Sequence, residues 1–139
     1  MADRTAYTQP QVGNQGFSRT MKTLGARVSL LTTDLAVGKT TAAFVVPKGF
    51  VVTGLIAVAS DMDANGTPTL TLSVGDAGSG TRYLSASTIG QAGTSTQTLA
   101  STGLLYENTA ETEILITATA GAATAAAGTL DLYLSGFMK

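Results

Sequence analysis

The sequence contains no cysteine, no histidine and no tryptophan, and these absences exclude many kinds of site. Without histidine there is no Ser-His-Asp triad, no imidazole general base and no imidazole ligand for a metal ion. Without cysteine there is no disulfide framework, no thiolate nucleophile and no zinc site built from thiolates. We therefore predict that the protein is not an enzyme and needs no cofactor.

Charged residues and long apolar runs are also scarce. Asp, Glu, Lys and Arg make up 12% of the 139 residues, which is about half of their usual share. No stretch approaches the roughly 18 apolar residues that a membrane-spanning helix requires, and the first residues lack the apolar core of a signal peptide. We expect one domain, made as a soluble intracellular product, with no membrane partner.

The few charges are unevenly distributed along the chain. Residues 1–60 contain six Lys or Arg and two Asp, whereas residues 61–139 contain two Lys or Arg and seven Asp or Glu. The N-terminal part is therefore basic and the remainder acidic, although the net charge is −1. Because the basic residues are few and are not interleaved with aromatic ones, the pattern does not favour a nucleic-acid partner.

Residues 1–23 are predicted to form an extended N-terminal arm. They are rich in Gln, Asn, Gly, Thr and Ser, and their apolar residues have neither helical nor strand spacing. A floppy terminus is the alternative interpretation. Our hypothesis is that basic residues of this region, with two apolar anchors, extend over an acidic surface of a partner. The predicted partner-binding residues are Arg4, Phe17, Arg19, Met21, Lys22 and Arg27.

Residues 24–139 are predicted to form short β-strands separated by Gly, Pro, Asn and Asp. The clearest strands are 129–134, where leucines alternate with other residues, and 69–74, where aliphatic residues alternate with hydroxyl-bearing ones. Further strands are predicted at 24–32, 41–46, 50–59, 82–84, 104–106 and 113–119. About eight strands without an amphipathic helix predict an all-β fold, an antiparallel β-sandwich or jelly roll.

Two segments of this region have less regular patterns. Residues 50–52 and 55–58 are apolar at successive positions, which is typical of a strand buried on both faces in the middle of a sandwich. Residues 118–127 are rich in alanine but contain Gly121 and no large apolar residue. We predict a hairpin connection there, between two strands, and not a helix.

Residues 61–66, Asp-Met-Asp-Ala-Asn-Gly, match the beginning of a calcium-binding loop. Oxygen atoms of Asp61, Asp63 and Asn65, at alternate positions, can converge on one hard cation. The twelfth position, however, is Leu72 where such a loop requires a bidentate Glu, and a predicted strand follows instead of a helix. We therefore predict no metal site and interpret the segment as a turn rich in Asp and Asn between strands.

Glu111 and Glu113 flank the start of a predicted strand, and alternation places both on one face. Paired carboxylates can act in acid–base catalysis, but no suitable partner stands nearby in the sequence. We interpret them as a solvated or interface-facing pair and predict no catalytic residue.

Three segments of the second half show a resemblance to a known family: 70–76 leading into Arg82-Tyr83-Leu84, 106–114, and 127–133. The chain resembles the small jelly-roll cement proteins that decorate the capsids of tailed bacteriophages, of the type found in a short-tailed Bordetella phage. The resemblance covers about two thirds of the chain and rests on composition, without an invariant signature. It implies a non-enzymatic virion protein that binds the outer surface of an icosahedral shell and clamps neighbouring subunits of the major capsid protein.

The composition agrees with such a role. A rigid scaffold with small polar side chains can pack closely at a repeated interface, and many copies strengthen modest contacts through avidity. Symmetry favours a homo-oligomer, a dimer in preference to a trimer. Two other interpretations stay open: a β-sandwich component of a head fibre, spike or tail, and a carbohydrate-binding jelly-roll module, which needs exposed aromatic residues along a groove.

Overall fold

Alternating apolar and polar positions produce eight β-strands in residues 21–139, the part of the chain that the computed structural model describes. The strands are β1 (Met21–Leu30), β2 (Thr40–Val46), β3 (Phe50–Ala59), β4 (Thr71–Gly75), β5 (Leu84–Ser87), β6 (Ser95–Thr96), β7 (Thr112–Ala120) and β8 (Gly128–Met138). Short 3₁₀ turns occupy Thr32–Leu35 and Ile89–Gln91. Within this part of the chain, no helix has the length and apolar character needed to cross a membrane.

The strands form two antiparallel sheets. Sheet 1 has the order β1-β8-β3-β6, and sheet 2 has the order β2-β7-β4-β5. The strands pair from the two ends of the sequence towards its middle: β1 with β8, β2 with β7, β3 with β6 and β4 with β5. This is the pairing of one long hairpin that has been rolled into a sandwich. This arrangement is a jelly roll, and it confirms the predicted antiparallel β-sandwich.

The core lies between the two sheets, and β8 supplies its centre. Alternate residues Leu130, Leu132 and Leu134 of β8 have no exposed surface, as their shared face in the sequence predicts. Ile114 and Ile116 of β7, in sheet 2, belong to the same buried cluster. Burying one such side chain contributes about 1.5–3 kcal/mol relative to leaving it in water, so the alternation of β7 and β8 is a large part of what holds the sandwich closed.

β3 has the two buried faces that its sequence predicts only at its start, where Phe50, Val51 and Val52 are all buried, and not over residues 55–59. Leu55, Ala57 and Ala59 are buried, but Ile56 and Val58 are 46% and 44% exposed. The strand pairs with β8 on one side and with only the two residues of β6 on the other, and over residues 55–59 its outward face has no covering layer among the described residues. Apolar residues on both faces therefore identify an exposed apolar surface here and not a second buried one.

Several predicted strand positions are also wrong. Residues 101–105 form a turn instead of the strand predicted at 104–106, because the N–H of Gly103 bonds to Ala100 and that of Tyr106 to Gly103. Of the strand predicted at 82–84, only Leu84 is in β5. β4 begins at Thr71 and not at residue 69, and the short β6 has no counterpart among the predicted strands.

The connection between β7 and β8 is not a hairpin, because β7 lies in sheet 2 and β8 in sheet 1. Residues 121–127 cross from one sheet to the other without forming a helix, so the prediction that this segment is not helical is confirmed. The main-chain N–H groups of Ala123 and Thr124 bond to the carboxylate of Asp63 at 3.0 and 2.9 Å. The crossing is therefore tied to a distant loop, which a hairpin would not need.

Candidate functional site

β1 carries three of the residues that the sequence predicts to bind a partner. Met21 and Arg27 are exposed on the same side of β1, because they are an even number of residues apart, and Lys22 is exposed on the opposite side. Residues 21–23, which the sequence assigns to the arm, pair with β8 in the structure. The remaining predicted residues lie outside the part of the chain that is described: Arg4, Phe17 and Arg19.

The outward surface of sheet 1 exposes four large apolar side chains, and sheet 2 exposes one, Val45, among the described residues; the four are Met21, Ile56, Val58 and Tyr133. It is built from rows across β1, β8 and β3: Gly25–Tyr133–Ile56 and Arg27–Asp131–Val58. Tyr133 is 38% exposed, and Met21, at the end of β1, is 58% exposed. We call the surface formed by these rows, with Met21, the outer face of sheet 1. Exposed contiguous apolar side chains of this kind typically mark interaction surfaces.

One ion pair lies within this face. Arg27 donates from Nε to Oδ1 of Asp131 at 2.7 Å and from Nη2 to Oδ2 at 3.0 Å. These hydrogen bonds hold the pKa of Asp131 below its ordinary value and raise the pKa of Arg27. The guanidinium predicted to reach a partner is therefore already bound within the chain, and it presents a neutral pair in which Arg27 remains 68% exposed.

Tyr133 lies directly over Gly25 on the neighbouring strand. A Cβ atom at position 25 would stand 2.5 Å from Cδ1 of Tyr133 and would also collide with the carbonyl oxygen of Leu132. Glycine therefore allows the aromatic ring to lie against the backbone of β1, an arrangement that protects glycine within a strand. The sequence contained no signal for this contact, because it depends on the register of β1 against β8.

A second cluster of interacting side chains lies around Arg82, in the loop between β4 and β5. Its Nε donates to Oδ2 of Asp76 at 2.7 Å, and Nη2 donates to Oδ1 at 3.2 Å. The guanidinium also lies over the ring of Tyr106, with Cζ 3.8 Å from the ring centre. Burial raises the pKa of Asp76, but the bonds from Arg82 and from nearby N–H groups outweigh burial and lower it. Arg82 thus joins the loop after β4 to the loop before β7.

Glu111 and Glu113 lie at one cleft beside this cluster, as their shared face predicts. The cleft has a volume of about 360 Å³ and is lined in part by Arg82, Tyr106 and Leu115. Arg82 is engaged by Asp76, and both glutamates are exposed. This geometry agrees with the interpretation of a solvated or interface-facing pair.

Asp63 is 1% exposed and organises two loops. Both of its carboxylate oxygens accept hydrogen bonds from main-chain N–H groups at 2.8 to 3.1 Å, and these belong to Thr69, Leu70, Ala123 and Thr124. Burial raises the pKa of Asp63, but these hydrogen bonds outweigh burial and lower it strongly. The bonds to Thr69 and Leu70 also explain why β4 begins only at Thr71.

The other two residues of the calcium-loop pattern serve as turn residues. Oδ1 of Asp61 accepts from the N–H of Asp63 at 3.1 Å, and Oδ1 of Asn65 accepts from Thr67 at 2.9 Å. No group of three or more carboxylates in residues 21–139 is placed to hold a metal ion. The positive ends of N–H dipoles face the Asp63 oxygens, which favours the interpretation as a turn over that as a cation site.

Comparisons with known proteins show what kind of protein this is. The chain is similar to a chain of the cyanophage Pam1 capsid asymmetric unit, with 36% sequence identity, 99% of each chain covered and a TM-score of 0.81. The chain belongs to this family of phage capsid proteins. It is also similar to a chain of the capsid of Ralstonia phage GP4, with 28% identity over 85% of each chain and a TM-score of 0.72.

A third similarity shows the fold alone. It is to a chain of the acidic stable capsid structure of the Helicobacter pylori bacteriophage KHP30, with 13% identity, 86% of this chain and 93% of that chain covered, and a TM-score of 0.59. No family model and no curated protein matches the sequence. The family of phage capsid proteins points to a structural and not an enzymatic protein.

Proposed function

We propose that this protein is a cement, or decoration, protein that binds the outside of an icosahedral phage shell and stabilises contacts between subunits of the major capsid protein. The observation that carries the proposal is the 36% identity, over 99% of both chains, to a chain of the cyanophage Pam1 capsid.

The outer face of sheet 1 is the surface that we assign to the shell. Ile56, Val58 and Tyr133 give it exposed apolar area, and the Arg27–Asp131 pair adds polar groups that are already satisfied. Such a face loses little hydrogen bonding when it is covered. Because a β-sheet is rigid, binding also costs little ordering entropy, and repetition over many copies multiplies the stabilisation.

The basic N-terminal residues are proposed to extend the same contact. Lys22 follows Met21 of the outer face at the start of β1, on the opposite side of the strand, and Arg4, Phe17 and Arg19 precede it in the chain. Basic side chains with an apolar anchor suit an acidic surface on a capsid subunit or on another copy of this protein. We also propose that the protein acts as a homo-oligomer, a dimer in preference to a trimer.

The proposal is tested by adding purified protein to phage shells assembled without it and measuring the number of bound copies by sedimentation and gel densitometry. Val58→Lys introduces a residue that is depleted from the centres of interfaces, so occupancy at a fixed concentration should fall about tenfold or more. Val45→Lys is the matched control: Val45 is 51% exposed on sheet 2, and each valine lies across from an acidic residue.

Equal occupancy of the two variants would remove the outer face of sheet 1 from the proposal. Failure of the unmodified protein to bind shells, or its location on tails or fibres in a density map of intact particles, would refute the cement function itself. Arg4→Glu together with Arg19→Glu tests the N-terminal contribution, and unchanged occupancy at low salt would refute that part.

A further inference from the structure

A pair of leucines projects from the loop before β7. Leu104 and Leu105 are 55% and 61% exposed. Leu105 has a φ angle of +59°, in the left-handed region that a residue with a Cβ atom rarely adopts. An exposed leucine held in a strained conformation needs a reason beyond the folding of this chain, because asparagine or glycine would occupy the position at lower cost.

The backbone around Leu105 is fixed by β3. The N–H of Leu105 donates to the carbonyl of Val52 at 2.7 Å, and the N–H of Val52 donates to the carbonyl of Tyr106 at 3.2 Å. Two residues further on, the backbone and side-chain amides of Asn108 both donate to the carbonyl of Phe50, at 2.9 and 3.0 Å. The leucine side chain is thus presented on a rigid support, which lowers the entropy lost on binding.

Beside this projection lies a cleft of about 290 Å³. Its apolar lining comes from β3, from β8 and from Leu105 itself, and one ion pair completes it; the residues are Val51, Leu105, Glu107, Phe137 and Lys139. Nζ of Lys139 is 2.9 Å from Oε1 of Glu107, and the two side chains are 58% and 38% exposed. The same small surface therefore contains an apolar projection, an apolar cleft, one positive charge and one negative charge.

We propose that this surface binds a second copy of the chain across a two-fold axis, with Leu105 of each copy in the cleft of the other. At a two-fold axis the same surface of both copies meets, so the surface must contain both a projection and a cleft, and both a positive and a negative charge. This surface contains all four. Glu107 of one copy then faces Lys139 of the other, so the surface ion pairs are exchanged or shared between copies. The inference rests on the homo-oligomer of the proposed function and names its surface.

The first test uses the unmodified protein and measures its association by analytical ultracentrifugation over a range of concentrations. Leu105→Asn removes the apolar group and suits the left-handed backbone, so the variant folds and should dissociate at least about tenfold more readily. Leu31→Asn is the control, because Leu31 is also 61% exposed but lies in another loop, and it should leave association unchanged.

The second test separates pairing between copies from pairing within one copy. The Glu107→Lys variant has two positive charges at the cleft, and the Lys139→Glu variant has two negative ones, so each alone should associate weakly. Mixed in equal amounts, they should form a heterodimer, because each then offers the charge that the other lacks. An ion pair used only within one copy predicts no heterodimer on mixing.

Three outcomes would overturn the inference: a protein that stays monomeric at its highest soluble concentration, association that Leu105→Asn does not weaken, or an equimolar mixture that forms no heterodimer. Binding of shells is measured separately. Unmodified protein that decorates shells but fails these tests refutes the dimer surface and leaves the cement function standing. Leu105→Asn that associates normally but no longer decorates shells assigns the leucine to a capsid subunit instead.

Discussion

Two neighbouring residues of β8 are expected to have opposite roles. Leu132 has no exposed surface and lies in sheet 1 between Ala26 of β1 and Ala57 of β3. Both neighbours are alanines and cannot extend into the space that a shorter side chain would leave. Leu132→Ala should therefore cost about 3–5 kcal/mol, in the upper part of the range for buried Leu-to-Ala changes.

Tyr133, the next residue, points to the outer face and is 38% exposed. Tyr133→Ala loses the contact of the ring with Gly25 but leaves no closed cavity, and it should cost about 1–2 kcal/mol. Its larger effect is expected on shell binding, since it removes the largest apolar side chain of the outer face. Leu132→Ala, once folded at low temperature, should keep that face and bind shells.

The assay is urea unfolding of both variants beside the unmodified protein, followed by occupancy on shells at a temperature where both are folded. For a domain of this length, a loss of about 3–5 kcal/mol corresponds to a decrease in Tm of about 10–15 °C. If Tyr133→Ala destabilises the protein as much as Leu132→Ala, or if Leu132→Ala alone prevents shell binding, then the alternation of β8 has been assigned to the wrong faces.

Two further predictions concern the charged groups that join the loops. The pKa of Asp63 is lower in the folded protein than its unfolded value of 3.8, so its contribution to stability is complete above pH 3.8 and is lost as the pH falls below that value. Thermal melts from pH 7 to pH 2 should therefore show a steeper loss of stability in acid for the unmodified protein than for Asp63→Asn, and parallel curves would contradict this. Arg82→Lys keeps the charge but loses the two-bond contact with Asp76 and the stacking on Tyr106, and it should lower the free energy of unfolding by about 1–2 kcal/mol in urea titrations. Arg27→Lys, at the more exposed pair, is its control and should change stability less.

Local patterns in the sequence were enough to identify most of the strands. In β8 the leucines alternate with Asp131 and Tyr133, and this period can be produced only by a strand with one buried face. The pattern failed at residues 104–106, where an aliphatic and aromatic run predicts a strand but Leu104 and Leu105 lie in a turn. Hydrogen bonds to Val52, a residue distant in the chain, hold that turn, and propensity does not contain them.

The candidate site was predicted only in part. Met21 and Arg27 were singled out as basic or apolar residues near the N-terminus, but their common exposed face became clear only from the pairing of β1 with β8. Val58 and Ile56 were predicted to be buried, because an apolar pattern does not distinguish a covered face from an exposed one. Leu105 had no signal in the sequence, since its exposure depends on how the loop is attached to β3.

The sequence by itself determined the fold class of this protein, a β-sandwich of short strands, and a composition that contains neither histidine nor cysteine. These properties depend on composition and on the period of nearby residues, which are local. Only the tertiary structure decided which apolar face stays open, that Arg27 binds Asp131 across 104 positions of sequence, and that Asp63 joins two loops. Strand register and sheet order bring distant residues together, and no local pattern specifies them.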